Sequence, residues 1–392
     1  DAEGNTPLII AAGKNQVEIG LALIKQGARV NAQNNRGDTA AGIAVRKNHA
    51  AMKRLLRAHG ARITRSTAQG AAAVTSRLAL RQASRPPGQG DSQKQSPFAG
   101  WQPLMEAAWL GHDDIVRVLL ERGVTVDERD SEGYSALTRA ACKGDSAIVQ
   151  MLLNAGASPH LAFDEGMTPL MCASETGDYD TVAALIAAGA AVNARHDNGC
   201  TALCNAVLNA HAGIAALLLD NGADINITPE NGKTVLMMAA ESDAVKLLNT
   251  LLARSPRLDQ RDSNGHGALW HAVNRQRNDN VLLLLQHGAQ PDIADDRGVT
   301  ALVLAAEREN PQLAGYLIEH GADVQTRTRD GNTPLILAAD AGNAGTVSHL
   351  IKAGAAINER NNNGNTALML AAAHGDDSTV RLLLEAGAET RI

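Results

Sequence analysis

The sequence predicts an all-α fold, a solenoid of paired antiparallel helices joined by hairpin-like loops. Three observations carry that prediction. The first is a series of glycines at 4, 37 and 70, then at 100, 133, 166, 199, 232, 265, 298, 331 and 364, spaced by 33 residues apart from one 30-residue step. The second is another series in the same period: Gly27, Gly60, Gly123, Gly156, Gly189, Gly222, Gly288, Gly321, Gly354 and Gly387, with Ser255 in its one gap. A fixed period of this length marks stacked supersecondary units rather than one globular core. The third is composition. Hydrophobic residues make up 44% of the 392-residue chain but aromatics only 2%, so the apolar share is mostly small aliphatic side chains that suit closely packed helices.

One unit, "DEGMTPLMCASETGDYDTVAALIAAGAAVNAR" (164–195), justifies each element in order. Gly166 sits in a turn, and Thr168 caps the helix that Pro169 begins. Leu170 and Ala173 give that helix an apolar face with a small residue for close approach. Gly177 supplies a turn tolerant of positive φ. Val182, Leu185 and Ile186 form the apolar stripe of a second helix. Gly189 ends it, and "AAVNAR" leads outward to the next turn. Neither helix can bury its face within one unit, so stacked neighbours must bury it jointly.

This unit closely resembles the ankyrin repeat, on the residues "GNTPL" (4–8 and 331–335), "GADIN" (222–226), "GADV" (321–324) and "GNTALMLAAAHGD" (364–376). The Ala-rich helices look most like bacterial members of that family. The resemblance covers 1–66 and about 98–392, and implies about eleven full repeats plus one degenerate repeat. The expected organisation is repeats one and two in 1–66, a degenerate third repeat with a Pro/Gly/Ser/Gln-rich insertion in 67–97, and repeats four to twelve in 98–392. "GAAAVTSRLALRQAS" (70–84) reads as a first helix carrying Val74 and Leu78, but "RPPGQGDSQKQSPFAG" (85–100) has linker composition where the second helix belongs. A continuous stack with a looped-out insertion is the expectation, and two arrays joined by a hinge the alternative. "TPLIIAAG" (6–13) opens with apolar residues where a terminal repeat normally turns a polar face outward, pointing to further sequence upstream. Thr379, where repeats often carry Ile or Val, reads as a capping feature.

The family usually reads T-P-L-H, its His tying helix to loop. Here that position holds Ile9, Gly42, Met105, Thr138, Met171, Cys204, Met237, Trp270, Val303, Ile336 and Met369. Apolar packing is expected to replace the polar bridge.

Several functions are argued against. The net charge is −6 with acids and bases interspersed, unlike the clustered basic stripe that neutralises phosphates. No apolar run reaches the roughly 18 residues that cross a bilayer. GxxxxGK[ST], HExxH, Gly-x-Ser-x-Gly and CxxC…CxxC patterns are absent, so no enzyme is expected. Four cysteines are too few for a disulfide scaffold. His196, Cys200, Cys204 and His211 suit zinc by type, but a hairpin tip and two helical positions need not converge. Ordinary packing is the favoured reading for them, and no metal or cofactor is expected. Asp113/Asp114 and Asp376/Asp377 fall near helix starts, where negative charge is stabilising. The chain begins at Asp1 without a signal-like segment, as a cut or processed chain would. A cytoplasmic location is favoured, with a secreted or periplasmic mature chain as the alternative.

What the resemblance implies instead is recognition of a protein on a concave face of hairpin tips and first helices. The family's variable contact positions lie two and one before the repeat glycine, one after it, and nine and ten after it. Around Gly100 these are Phe98, Ala99, Trp101, Trp109 and Leu110. Around Gly133 they are Ser131, Glu132, Tyr134, Cys142 and Lys143, and around Gly166 Asp164, Glu165, Met167, Glu175 and Thr176. Four of the eight aromatic residues therefore fall at contact positions of two adjacent repeats. The expected anchor is Phe98, Trp101, Trp109, Leu110, Tyr134 and Met167, with Lys143 and Glu175 on its rim, since large rigid rings release water at low entropic cost. The competing reading has Phe98 and Trp101 covering the flank of the interrupted repeat against Val74, Leu78 or the linker. A linker lying in the groove would unite the two readings as autoinhibition. The expected function is a non-enzymatic scaffold, adaptor or inhibitor that binds a protein partner, itself a monomer. The alternatives are the targeting or regulatory portion of a larger enzyme or membrane protein, and a metal- or redox-linked regulator.

Overall fold

The computed structural model describes residues 5–35 and 38–46, single positions at 49, 52, 55, 56 and 59, and residues 101–390 apart from 231 and 309. The degenerate repeat and insertion expected in 67–97 lie outside the described residues, as does Phe98. Among the described residues there are 21 α-helices and no named strand, with isolated bridges joining Gln33 to Thr39 and Phe163 to Met167.

The chain divides into two compact units, Asp1–Val116 and Arg117–Ile392. In the first, α1 (Pro7–Gly13) packs on α2 (Val17–Lys25) and α3 (Ala40–Arg46). Leu8, Ile9, Ala12, Ala40, Ala44, Met52 and Leu56 are buried together there. Next comes α4 (Pro103–Leu110), which starts on a proline and ends at Gly111 in the left-handed region. Then α5 (Asp113–Glu121) carries two acids in its first turn, as expected of a helix N-terminus.

The second unit is a succession of helix pairs: α6 (Ala136–Lys143) and α7 (Ser146–Asn154), α8 (Pro169–Thr176) and α9 (Tyr179–Ala187), α10 (Ala202–Leu208) and α11 (Ala212–Asp220), α12 (Val235–Glu241) and α13 (Val245–Leu252). It continues through α14 (Ala268–Asn274) and α15 (Asn278–Gln286), α16 (Ala301–Ala306) and α17 (Pro311–Glu319), α18 (Pro334–Asp340) and α19 (Ala344–Lys352), α20 (Ala367–His374) and α21 (Asp377–Glu385). Each first helix touches the first helices before and after it, and each second helix does the same in its own row. The two rows make an all-α repeat solenoid.

Local chemistry sets the boundaries of these helices. The Thr168 hydroxyl accepts the Met171 N–H at 3.3 Å, Pro169 opens α8, and Gly177 closes it at φ 81°. The same threonine cap recurs at Thr234, Thr300, Thr333 and Thr366. Second helices are capped by Asp145, Asp178, Asn310, Asn343 and Asp376. A side-chain acceptor at that position satisfies an N–H group that has no partner inside the helix.

Apolar packing does fill the slot of the missing histidine. Ile9, Met105, Met171, Cys204, Met237, Val303 and Ile336 are all buried. Thr138 keeps a polar role, completing a capping box with Ser135. Two positions depart from this expectation. Met369, on α20, the last first helix among the described residues, is 41% exposed. Trp270 is half-buried, its ring stacked on His266. The reading of Thr379 as a capping feature is also corrected. It is fully buried, and Thr181 and Thr346 fill the equivalent slot of internal pairs with the same burial.

Candidate protein-binding face

The site is built from hairpin tips and first helices of the second unit. At the first tip, Asp130 Oδ1 accepts the N–H groups of Glu132 and Tyr134 at 3.0 and 2.9 Å, which holds Gly133 at φ 85°. The other carboxylate oxygen accepts Arg139 Nη2 at 2.5 Å, with the two side chains 1% and 9% exposed. The Arg139 guanidinium lies 3.5 Å from the centre of the Tyr134 ring, a cation–π contact. Burial pushes the Tyr134 hydroxyl pKa up, with Arg139 opposing.

From the next tip, Phe163 stacks on Tyr134 with ring centres 4.0 Å apart and planes tilted by 32°. The Phe163 N–H donates to the Met167 carbonyl at 2.9 Å across the turn. A Cys142–Cys172 disulfide joins α6 to α8. Tyr134, Phe163, Met167 and the disulfide line a cavity of about 270 Å³, together with Asp164, Glu175, Thr176 and His196. Two aromatic rings, Met167 and the disulfide thus offer apolar contact beside the negative charge of Asp164 and Glu175.

The structure therefore brings together Tyr134, Met167 and Glu175 of the expected anchor and rim. Lys143, the last residue of α6, does not line this cavity. Trp101 and Trp109 belong to the first unit, where they meet edge to face at 6.1 Å and 87°; Trp101 precedes α4, and Leu110 ends the helix that carries Trp109. Sequence reasoning missed Phe163, which stands three before Gly166 and so outside the family's contact offsets. It also missed the disulfide. The cysteine count rightly argues against a disulfide scaffold, but not against a single bond between neighbouring repeats. A second cavity of about 480 Å³ follows, lined by Asn198, Cys200, Leu208, Pro229, Glu230, Lys233, Met238 and Glu241, with Leu208 62% exposed.

No three of His196, Cys200, Cys204 and His211 bring ligand atoms within 4.8 Å of one another. His196 faces Glu165 at 3.9 Å, and His211 Nε2 lies 3.1 Å from the Glu175 carbonyl. The Cys200 thiol donates to Cys204, which pulls Cys204 down to about 7 and pushes Cys200 far above the usual thiol range.

A different cluster does converge. Asp262 Oδ1 accepts the N–H groups of Asn264 and His266 at 2.9 Å each. Asp262 Oδ2 lies 3.0 Å from His271 Nε2 and 3.8 Å from His266 Nδ1. His271 Nδ1 meets Glu241 Oε1 at 2.7 Å, and Glu241 Oε2 accepts Lys233 Nζ at 2.7 Å. His266 Nε2 is 3.5 Å from Asp295 Oδ2, and its ring stacks on Trp270 at 3.5 Å. Burial alone would raise the Asp262 carboxyl, but the N–H groups of His266 and Asn264 and the His271 ring outweigh it and hold it below its ordinary value. Its sequence trace, "DSNGHGALWHA" (262–272), matches no spacing rule, because the tip must fold back over α14 before the residues meet.

Paired helices in two rows, capped alike and bearing recurrent hairpin tips, define a repeat solenoid of the kind that serves as a protein-interaction module. The chain belongs to the ankyrin-repeat family. The family model for ankyrin repeats matches residues 1–67, 76–162, 137–229, 171–262, 213–295, 236–328 and 302–392. The fold is typically a non-enzymatic interaction scaffold, and ankyrin repeats bind protein partners. A comparison with curated proteins finds none that matches this chain. Among the described residues, no helix is long and apolar enough to cross a membrane.

Proposed function

We propose that this chain is a non-enzymatic scaffold, adaptor or inhibitor, acting as a monomer, that takes a protein partner on the face of hairpin tips and first helices. That face is concave in the family. The observation that carries the reading is the cavity of about 270 Å³ between Tyr134, Phe163 and Met167. Its walls are preformed: Arg139 and Asp130 fix the Tyr134 tip, and the Cys142–Cys172 bond fixes the helices behind it. A rigid pocket loses little entropy when an anchor enters. Asp164 and Glu175 favour an apolar anchor with Lys or Arg beside it. Trp101, Trp109, Leu110 and Phe98 supply a second apolar contact, and Lys143 a charged rim.

The test is quantitative capture of a partner from the source organism, followed by binding of the purified pair. Met167→Glu and Trp109→Ala should each weaken binding at least tenfold with unchanged melting temperature, a hot-spot loss of about 1.4 kcal/mol or more. Tyr179→Ala, on a second helix and half-exposed, should leave binding unchanged. Equal binding by wild type, Met167→Glu and Trp109→Ala would show that recognition uses another surface.

A further inference from the structure

We infer that Asp262, His266 and His271 form a site for a zinc-class divalent metal ion. The three offer Asp262 Oδ2, His266 Nδ1 and His271 Nε2, and each residue has a ligand atom within 4.8 Å of the other two. Ligand atoms around a tetrahedral ion bound at about 2.0–2.1 Å stand roughly 3.3 Å apart. The measured separations of 3.0 and 3.8 Å from Asp262 Oδ2 bracket that value.

An independent feature separates this cluster from a chance gathering of polar residues. Each imidazole has its remaining nitrogen turned to a second carboxylate. Glu241 Oε1 holds His271 Nδ1 at 2.7 Å, and Asp295 Oδ2 faces His266 Nε2 at 3.5 Å. Metal-bound histidines commonly carry such a carboxylate on the far nitrogen, which fixes the tautomer and aims the ring. Glu241 is itself fixed by Lys233, and the Trp270 ring stacked on His266 limits its rotation. The side chains of Asp262, His271 and His266 are 6%, 7% and 14% exposed, and that of the outer Asp295 3%, so the donors are set in the fold rather than free at the surface.

His271 Nε2 and Asp262 Oδ2 lie at hydrogen-bond distance, 3.0 Å apart. An ion between them would displace any proton on Nε2 to solvent and take Nε2 and Oδ2 as ligands. Two histidines and one carboxylate leave a fourth position for water or for an incoming carboxylate, imidazole or thiolate. The site is independent of which protein occupies the binding face, and of His196, Cys200, Cys204 and His211.

The full chain, stripped with chelator, is titrated with Zn²⁺ by calorimetry and with Co²⁺ by visible absorption. One equivalent should bind with micromolar or tighter affinity, and Co²⁺ should give the d–d bands of a four- or five-coordinate nitrogen–oxygen site. His266→Ala and His271→Gln should each lower affinity at least tenfold. Glu241→Gln, which removes only the outer carboxylate, should lower it about 10–100-fold. His196→Ala and His211→Ala should bind like wild type. Melting curves accompany each variant; should His271→Gln unfold the chain, His266→Ala and Glu241→Gln still decide. Absence of stoichiometric binding by wild type would overturn the assignment, as would affinity unchanged in His266→Ala or lost in His196→Ala.

Discussion

Asp130 shows how much one side chain can determine at this face. It caps its own turn through one oxygen and neutralises Arg139 through the other, with only 1% of its side chain exposed. Removing one partner of a buried ion pair leaves the other charge uncompensated, so Asp130→Ala should cost about 3–5 kcal/mol. Glu132 also reaches Arg139, at 3.2 Å, but its side chain is 69% exposed, and Glu132→Ala should cost less than about 1 kcal/mol. Urea denaturation of the two variants checks the contrast, which equal losses would refute. His112 gives a pH-dependent case. Burial pushes its imidazole below the ordinary value of 6.5, with Asp113 opposing. The unfolded chain therefore takes up the proton at a higher pH than the folded one, and stability falls as pH drops through 6.5 towards the folded value. His112→Gln should flatten that part of the curve between about pH 7.5 and pH 5.5; identical slopes in the two proteins would exclude this role. At this scale the sequence discloses residues placed at a fixed offset from the repeat glycine, such as Tyr134 and Met167, which line one cavity. It conceals Phe163 and His271, whose partners Tyr134 and Glu241 stand about a repeat away along the chain, so that the contacts exist only after stacking.

Helix boundaries were the most legible feature, because a cap acts on its own backbone within three or four residues. Thr168, Pro169 and Gly189 perform the roles their types imply on their own backbone, whereas Gly177 also leaves room for the His211 ring of the next repeat. The repeat glycines are different, since some also accommodate the adjacent tip. Gly298 and Gly354 both have left-handed backbone, at φ +77° and +81°. An added Cβ at Gly354 meets nothing within 4 Å, whereas at Gly298 it would stand 2.9 Å from the Arg327 carbonyl oxygen and 3.2 Å from Thr328 Cα. Gly354→Ala should thus cost only the left-handed penalty of about 1–2 kcal/mol. Gly298→Ala should cost more, because backbone must move as well, and should expose amides of the 327–332 tip to exchange. Equal destabilisation would mean that neighbouring tips yield freely. The slot of the missing histidine teaches a related lesson. Its residue type predicts burial, but Trp270, half-buried in an internal repeat and stacked on His266, shows that burial also depends on what the neighbouring tip presents.

Stacking in two rows makes the second unit a chain of nearest-neighbour interfaces, so a perturbation should weaken most where it is applied. The Cys142–Cys172 bond offers a direct test. It closes a separation of 30 residues between adjacent first helices, and in the chain-entropy account such a loop stabilises by about 3–4 kcal/mol. Cys142→Ser should lower stability by an amount of that order under oxidising conditions and match wild type once both are reduced. Cys200 and Cys204 are free thiols in both proteins and do not enter the comparison. In a nearest-neighbour array the loss should appear first as faster amide exchange in α6 to α9, while α18 to α21 keep their protection. The cavity between Tyr134, Phe163 and Met167 stands on those same helices, so partner binding should weaken on reduction before the array melts. Uniform acceleration of exchange from α6 to α21 would instead show that the unit opens as one cooperative block. In that case the bond would stabilise the whole array rather than the proposed binding face alone.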